Sequence, residues 1–376
     1  MSDLHPLHRP TWAEVDLAAI AHNVGHLKAL ASPARFCAVV KADGYGHGAV
    51  EVSRAALRGG ADWLAVALVE EGIALREAGI DSRILLLSEP PPQAMEAVVE
   101  HRLTPTLYTR TGVEAAIKAT KGNDDPLPVH VKIDTGMHRV GADPTGAKSV
   151  AAAVAADDTL RLEGVWTHFA VADEPDRDDF TATQLTVFEA ARESLPPAEM
   201  YHAANSAGML AHPKARLDLV RAGIAMYGCS PSPALDDRCG DLRPALSLKA
   251  RVSLAKRVAA GESLSYGLLY TVKVDSLVAT VPLGYADGVP RGLALAGGEV
   301  LIGGRRRPIA GTVTMDQLLV DCGPNEKVSV GDEVVLIGRQ GNEQILADEW
   351  AERMGTINYE ILCGIGPRVP RVYLEA

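Results

Sequence analysis

Between residues 36 and 223 a short β-type run is followed by a helical segment eight times over, at roughly 24-residue spacing. The candidate strands span 36–40, 63–68, 83–88, 103–108, 129–133, 162–169, 200–205 and 217–223. Between them lie Ala-, Glu- and Leu-rich segments such as Val69–Ala78, Gln93–His101, Gly112–Thr120 and Thr181–Ser194, which suit amphipathic helices. Eight such units point to a (β/α)8 barrel of the TIM type, whose active site is built from loops at the C-terminal ends of its strands. A doubly wound sheet is the alternative, because alternation alone does not close a barrel.

After Gly228 the texture changes. Ser230-Pro231-Ser232-Pro233 and Asp236–Gly240 read as a linker. Beyond it come alternating or valine-rich runs at Ser247–Arg257, Val272–Leu283, Glu299–Ile302, Ile309–Asp321 and Glu333–Ile337, with little helical pattern except near Asp348–Met354. This stretch is expected to be a mainly β domain. Thr11–Val15 is expected to add a strand to it, before a helix over Leu17–Leu30 with Asp16 as N-cap. The expected division is therefore 1–16 as an N-terminal strand joining the β domain, 17–240 as the barrel and 241–376 as the β domain.

A chain of 376 residues can bury a substantial core and is long enough for two domains. A net charge of −11 with no basic tract beyond Arg305-Arg306-Arg307 argues against a nucleic-acid partner. No uninterrupted apolar stretch is long enough to span a bilayer, and the N-terminus lacks the basic and apolar regions of a secretory signal. The five cysteines are scattered without metal-type spacing, so no metal site is expected and a reduced, cytoplasmic protein fits best.

If the barrel forms, polar groups should gather where strands finish, and they do. Lys41 closes Phe36-Cys37-Ala38-Val39-Val40 and opens the glycine-rich Ala42-Asp43-Gly44-Tyr45-Gly46-His47-Gly48. Burying a lysine cation is costly, which favours a neutral and nucleophilic amine. Lys132 through Arg139 follows the fifth strand, Thr167-His168-Phe169 ends the sixth, His202 through Ser206 ends the seventh, and Arg221-Ala222-Gly223-Ile224 ends the eighth. One lysine, several neutral donors and an arginine suit an anionic cofactor that carries a carbonyl. Lys41 could form a Schiff base with its aldehyde, while Ser206 and the amides of Gly223 and Ile224 could bind a phosphate. Pyridoxal phosphate satisfies both requirements.

Val39-Val40-Lys41-Ala42-Asp43-Gly44-Tyr45-Gly46-His47-Gly48 resembles the cofactor-lysine motif of alanine racemases. The resemblance continues through Lys132–Gly141, Thr167–Ala170, His202–Ser206, Arg221–Gly228, Ser265-Tyr266-Gly267, Gly284–Gly288, Thr314-Met315-Asp316-Gln317 and Thr356–Glu360 to Arg371. It implies a barrel-plus-β-domain enzyme that interconverts L- and D-alanine and supplies D-alanine for cell-wall peptidoglycan. It also implies a homodimer in which each site is completed by the partner's β domain.

By that resemblance Lys41 holds pyridoxal phosphate as an internal aldimine and then serves the D-face of the substrate Cα. Tyr266 of the other subunit serves the L-face, since racemisation needs one group to take the proton and another to return it. A free tyrosine, with a pKa of about 10, is a poor base at neutral pH, so cations or a relay through His168 must assist. Arg221 faces the ring nitrogen, and Arg139 bonds the phenolic oxygen and the substrate carboxylate with its planar fork. Asn205 falls in the same cofactor-binding set. Tyr45, Ser206, Gly223, Ile224 and Tyr359 match the phosphate-binding residues. Met315 and Asp316 match the substrate-side wall, Tyr285 the narrow access channel, and Lys132 a position often carbamylated. Thr314 departs from the cysteine that many relatives carry there. A barrel-type amino-acid decarboxylase and a pyridoxal-phosphate carrier are the competing readings. The Tyr266 motif and Arg221 weigh against the first, and the β domain against the second.

Overall fold

The computed structural model describes residues 8–324 and 326–375. The first seven positions of the expected N-terminal segment and, in the expected β domain, residues 325 and 376 lie outside them. The chain divides into two compact units: one holds Ala19–Gly44 and Ala49–Arg243, the other holds the chain up to Ala18, Tyr45–Gly48 and the chain from Pro244.

The N-terminal strand β1 (Thr11–Asp16) precedes a helix over Leu17–Ala31. Eight strands then follow: β2 (Arg35–Val39), β3 (Trp63–Val66), β4 (Arg83–Leu86), β5 (Thr106–Leu107), β6 (Leu127–Lys132), β7 (Leu160–Trp166), β8 (Met200–His202) and β9 (Leu219–Ala222). In one four-stranded sheet the order is β4-β3-β2-β9 and in another it is β5-β6-β7-β8, with every pairing parallel. Two seams join them. The Leu86 amide donates to the Thr104 carbonyl and the Thr104 amide to the Ile84 carbonyl, both at 2.9 Å. The Asp218 amide donates to the Tyr201 carbonyl and the Arg221 amide to the Ala204 carbonyl, both at 3.0 Å. The ring therefore closes as a (β/α)8 barrel and the doubly wound alternative falls away.

The strands are short and apolar because both of their faces are covered: β3 and β9 are buried at every position. Trp166, Phe36, Phe169 and Phe188 are fully buried in this unit. Each such side chain is worth about 1.5–3 kcal/mol relative to exposure. β5 is much shorter than the expected 103–108, because Thr104 makes only an isolated bridge to Leu85 before the two paired residues. The expected linker contains a 3-10 helix at Pro233–Arg238, tied back by Arg238 Nη1 donating to the Leu210 carbonyl at 2.9 Å.

In the other unit β1 pairs antiparallel with β10 (Leu246–Arg251) and parallel with the last strand, Arg371–Leu374. The same sheet continues from Leu246–Arg251 through Glu333–Gln340 and Glu299–Ile302 to Arg305–Pro308. A three-stranded sheet orders Leu254–Val258, Ser276–Val281 and Leu318–Gly323 side by side. The helix Ala347–Met354 matches its sequence pattern, while Asn358–Cys363 adds a helix the pattern did not reveal. Its N-cap is Ile357 with no side-chain cap, so the usual Ser, Thr or Asp start signal is missing.

Candidate active site

Lys41 stands just beyond β2, and the turn after it is strained. Ala42, Asp43 and Gly44 all have φ near the left-handed region, at 52°, 51° and 61°. For the two non-glycine residues that conformation costs about 1–2 kcal/mol each. Three contacts hold it. The Gly44 amide donates to the Val40 carbonyl at 2.9 Å, and the Ala49 amide donates to Asp43 Oδ1 at 2.8 Å. The Ala42 amide donates to Glu71 Oε1 at 2.6 Å. Glu71 Oε2 also accepts from the amides of Ala67 at 2.8 Å and Leu68 at 3.0 Å. Strain of this kind concentrates at functional sites. Glu71 gave no signal in the sequence because its partners are backbone groups.

Cations gather at the strand ends. Burial, then the charges of Arg221, Arg139 and Lys41, push the Lys132 amine down to about 7, with Asp134 acting in the opposite sense. Its Nζ lies 4.4 Å from the centre of the Trp166 ring. Arg139 is exposed on the loop after β6, whose turn Asp134 closes by accepting from the amides of Gly136 at 3.0 Å and His138 at 3.1 Å. His168 is pushed well below the usual imidazole range by burial first, then by Arg221, Lys132, Arg139 and Lys41, so it is neutral.

Arg221 is buried at the end of β9 and held by several partners through its two terminal nitrogens. Nη2 donates to the carbonyls of Thr167 at 2.8 Å and Ala203 at 2.9 Å, and reaches His168 Nδ1 at 3.3 Å. Nη1 lies 2.7 Å from His202 Nδ1, and the guanidinium sits 4.5 Å from the Trp166 ring centre. Burial lowers its pKa to about 10, so at neutral pH it keeps its charge. His202 and Trp166, stacked at 5.6 Å with an interplanar angle of 8°, are the positioning partners that sequence reasoning left without a role. Their signal was a polar and an aromatic residue inside buried strands, which reads equally as core.

After β8, Asn205 caps the short helix Ser206–Ala211 by accepting from the Gly208 amide at 2.8 Å. The Ser206 hydroxyl accepts from the Gly223 amide at 2.9 Å, which leaves its own proton to donate. Ile224 begins the 3-10 turn that follows Gly223. Lys41, Lys132, Arg139, His168, Asn205, Ser206, Arg221, Gly223 and Ile224 thus all lie in the barrel unit, at or just beyond strand ends.

Tyr45, Tyr266, Tyr285, Met315, Asp316 and Tyr359 lie in the other unit. The rings of Tyr45 and Tyr359 are 6.0 Å apart. Tyr266 is 74% exposed, on a turn where Ser265, Gly267 and Leu268 have φ of 61°, 78° and 52°. That turn is pinned by Ser265 Oγ donating to the Thr312 carbonyl at 2.6 Å and Thr312 Oγ1 donating to the Tyr266 carbonyl at 2.9 Å. Ser265, Tyr266, Thr314, Gln317 and Leu319 line a cavity of about 360 Å³. The Tyr285 amide donates to the Thr314 carbonyl and the Ala286 amide to the Met315 carbonyl, both at 3.0 Å, so those two segments are one construction. Asp316 is paired with Arg368 at 2.6 Å. Among the described residues no group of His, Cys, Asp and Glu could hold a metal ion, and no helix is long and apolar enough to cross a membrane.

Comparison with known proteins fits this geometry. The family profile for the alanine racemase N-terminal domain matches residues 15–231, and that for the alanine racemase C-terminal domain matches 245–373. An alanine racemase of Symbiobacterium thermophilum is 48% identical, the match covering 97% of each chain. One from Desulfovibrio desulfuricans is 43% identical over 98% of this chain and 99% of its own. The crystal structure of alanine racemase from Bacillus anthracis with bound L-Ala-P superposes with a TM-score of 0.91 at 40% identity, covering 98% of this chain and 96% of that one. The enzyme from D-cycloserine-producing Streptomyces lavendulae gives a TM-score of 0.92 at 40% identity, covering 98% of each. A chain matched along nearly its whole length by both domains, and by relatives at this identity, belongs to the alanine racemase family.

Proposed function

We propose that this chain interconverts L- and D-alanine with pyridoxal phosphate as its cofactor. The observation that carries the reading is the cluster of Lys41, Lys132, Arg139 and Arg221 at the barrel's strand ends, charges close enough to depress one another's neighbours. Such an excess of cations fits a group bearing a phosphate, a phenolic oxygen and a substrate carboxylate. The Ser206 hydroxyl, with its oxygen already engaged by the Gly223 amide, has a proton to offer an anionic oxygen. The donor set therefore suits this cofactor.

Lys41 is the residue to hold the cofactor's aldehyde. Ser206 and the Gly223 and Ile224 amides are the barrel's phosphate donors, beside the Asn205 cap. Tyr45 and Tyr359, paired in their own unit, are the tyrosines of that set. When bound, pyridoxal phosphate conjugates the substrate's α-carbon with its ring and so makes the α-proton removable. Arg221 would meet the ring nitrogen of the bound cofactor as a donor that keeps its proton. Such a donor would limit how much charge the ring withdraws and so disfavour transamination. Arg139 orients the phenolic oxygen and the substrate carboxylate. The Lys41 amine takes or returns the α-proton on the D-face, and the phenolic oxygen of Tyr266 from a second copy of the chain does so on the L-face. Neutral His168 is placed to accept from Arg221 and pass a hydrogen bond on. Met315 and Asp316 wall the substrate side and Tyr285 its access channel. With its pKa brought down to about 7, the Lys132 amine is about half deprotonated at neutral pH, and that neutral form is the one that takes up carbon dioxide, in keeping with the proposed carbamylation.

A homodimer is part of the proposal. Tyr266, Leu268 and Met315 are 74%, 65% and 53% exposed, an apolar surface that a second copy would cover. Supply of D-alanine for peptidoglycan in the cytoplasm is the proposed physiological role.

The test is conversion. Full-length protein with pyridoxal phosphate is incubated separately with L- and D-alanine, and both enantiomers are quantified by chiral chromatography. Approach to a 1:1 mixture from either side is expected. Release of carbon dioxide from ornithine or diaminopimelate, without alanine racemisation, would overturn the reading in favour of a decarboxylase. Lys41→Ala should abolish conversion in both directions; near-normal turnover would remove Lys41 from its role.

A further inference from the structure

Arg221, His202, His130 and Glu163 stand one after another through the barrel interior, on β9, β8, β6 and β7. Their donor and acceptor capacities permit one consistent arrangement of protons. Arginine has only donors, so at 2.7 Å it makes His202 Nδ1 an acceptor. A neutral imidazole with a bare Nδ1 carries its proton on Nε2. That nitrogen lies 2.9 Å from His130 Nδ1, which must then accept. His130 in turn carries its proton on Nε2, facing Glu163 Oε2 at 3.5 Å.

These last two atoms are buried and make no hydrogen bond among the described residues. An unmet buried donor or acceptor is costly, so each is the other's natural partner. The other carboxylate oxygen of Glu163 pairs with Arg83 and, at 3.2 Å, with Arg161 Nη2. Burial first, then the charges of Arg221, Arg83 and Arg161, push His130 down to about 3. Burial and Arg221 hold His202 well below its usual range. Both rings are therefore neutral, and each can hold only one proton.

The backbone is shaped around His130. The β6–β7 register shifts between Val129 and His130: Val129 pairs with Leu162 and His130 with Gly164, so Glu163 is the extra residue of the shift. Opposite His130 stands Gly164, where a Cβ would come within 2.5 Å of the His130 ring. Any side chain at 164 would displace the imidazole. Neither His130 nor Glu163 has a task in the proton transfers described above.

We propose that His130 and Glu163 are positioning residues for Arg221: the carboxylate fixes the proton on each imidazole, so that His202 turns a lone pair toward the guanidinium. This rests on the racemase reading, in which Arg221 meets the cofactor's ring nitrogen. A reversed imidazole would set N–H against N–H at Arg221. The guanidinium would then be pushed off the Thr167 and Ala203 carbonyls, losing the fixed place from which it acts.

Neutron diffraction from crystals of the full chain reads these protons directly. Protonated Nε2 and bare Nδ1 are expected in both His130 and His202. Glu163→Gln keeps the shape but not the acceptor. With its oxygen claimed by the two arginines, its amide N–H faces the His130 N–H, donor against donor. The variant should show a rearranged His130 or His202 proton. Its kcat per cofactor-bound site should fall roughly tenfold, the scale of one hydrogen bond, with KM held. A purely structural role would lower the yield of folded enzyme and leave kcat per bound cofactor alone. A proton on His202 Nδ1 in the unsubstituted protein overturns the proposal, as does wild-type kcat with unmoved protons in the variant. Should the folded chain fail to racemise alanine, the neutron map still decides the proton chain, so the two failures are separable. It also decides the matter if the variant does not fold.

Discussion

Lys132 is a buried lysine beside three other cations, and its titration has a consequence for stability. Burial, then Arg221, Arg139 and Lys41, bring it down to about 7 from its ordinary 10.5. A lysine whose folded pKa is depressed binds fewer protons folded than unfolded across that window. Its penalty is therefore greatest below about pH 7 and is relieved as pH rises toward 10.5. Lys132→Met should accordingly be more stable than the unsubstituted protein at pH 6. That advantage should shrink by about 2 kcal/mol by pH 9. Urea unfolding of both proteins in bicarbonate-free buffer measures it, and an equal difference at the two pH values would show that Lys132 is not depressed. Lys41 was legible as a candidate from its place at a strand end before turn-forming glycines, and Tyr266 only through the resemblance to alanine racemases. Glu163 and His130 were not, because a polar residue in a buried strand looks the same whether it completes a network or merely fills the core, and His202 was legible only as a polar group at a strand end.

At the scale of elements, the turn after β2 depends on a glutamate from the following strand–helix unit. Glu71 accepts from three backbone amides, those of Ala42, Ala67 and Leu68. Glu71→Ala strands those donors and releases the left-handed turn at Ala42 and Asp43. We expect a loss of about 1–3 kcal/mol in unfolding free energy and weaker retention of pyridoxal phosphate on dialysis, because Lys41 loses its anchored neighbour. Unfolding curves and cofactor absorbance report the two effects. Wild-type values in both would show that the turn holds itself. The eight barrel strands were legible from periodicity, since apolar runs alternating with helical segments leave few architectures. The Asn358–Cys363 helix was hidden by its uncapped start, and the brevity of β5 by Leu103 and Thr104, which read as strand although only Thr106 and Leu107 pair in it.

For the whole molecule, the shared-site proposal makes a quantitative statement about mixtures. Lys41→Ala and Tyr266→Phe chains should each be severely impaired alone. Half of the dimers in a statistical mixture are hybrids, and one of the two sites in each hybrid is intact, so about a quarter of wild-type activity should return. No recovery in mixtures refolded together would contradict a site built from two copies. The two-unit division was partly readable from the change in texture after Gly228. That Tyr45–Gly48 groups with the β unit was not, because it follows from long-range contacts such as Arg371 Nη2 donating to the Gly46 carbonyl at 2.8 Å.

The most direct measurement follows α-proton exchange in deuterium oxide, with the cofactor-loaded wild-type chain and its Tyr266→Phe variant, starting from each alanine enantiomer. Wild type should exchange from both and yield deuterated product of the opposite hand. The variant should lose exchange from L-alanine far more than from D-alanine, as expected if Tyr266 serves one face and Lys41 the other. Equal losses from the two enantiomers, or no exchange from either in a folded, cofactor-bound wild-type protein, would contradict the two-sided proton transfer on which the assignment rests.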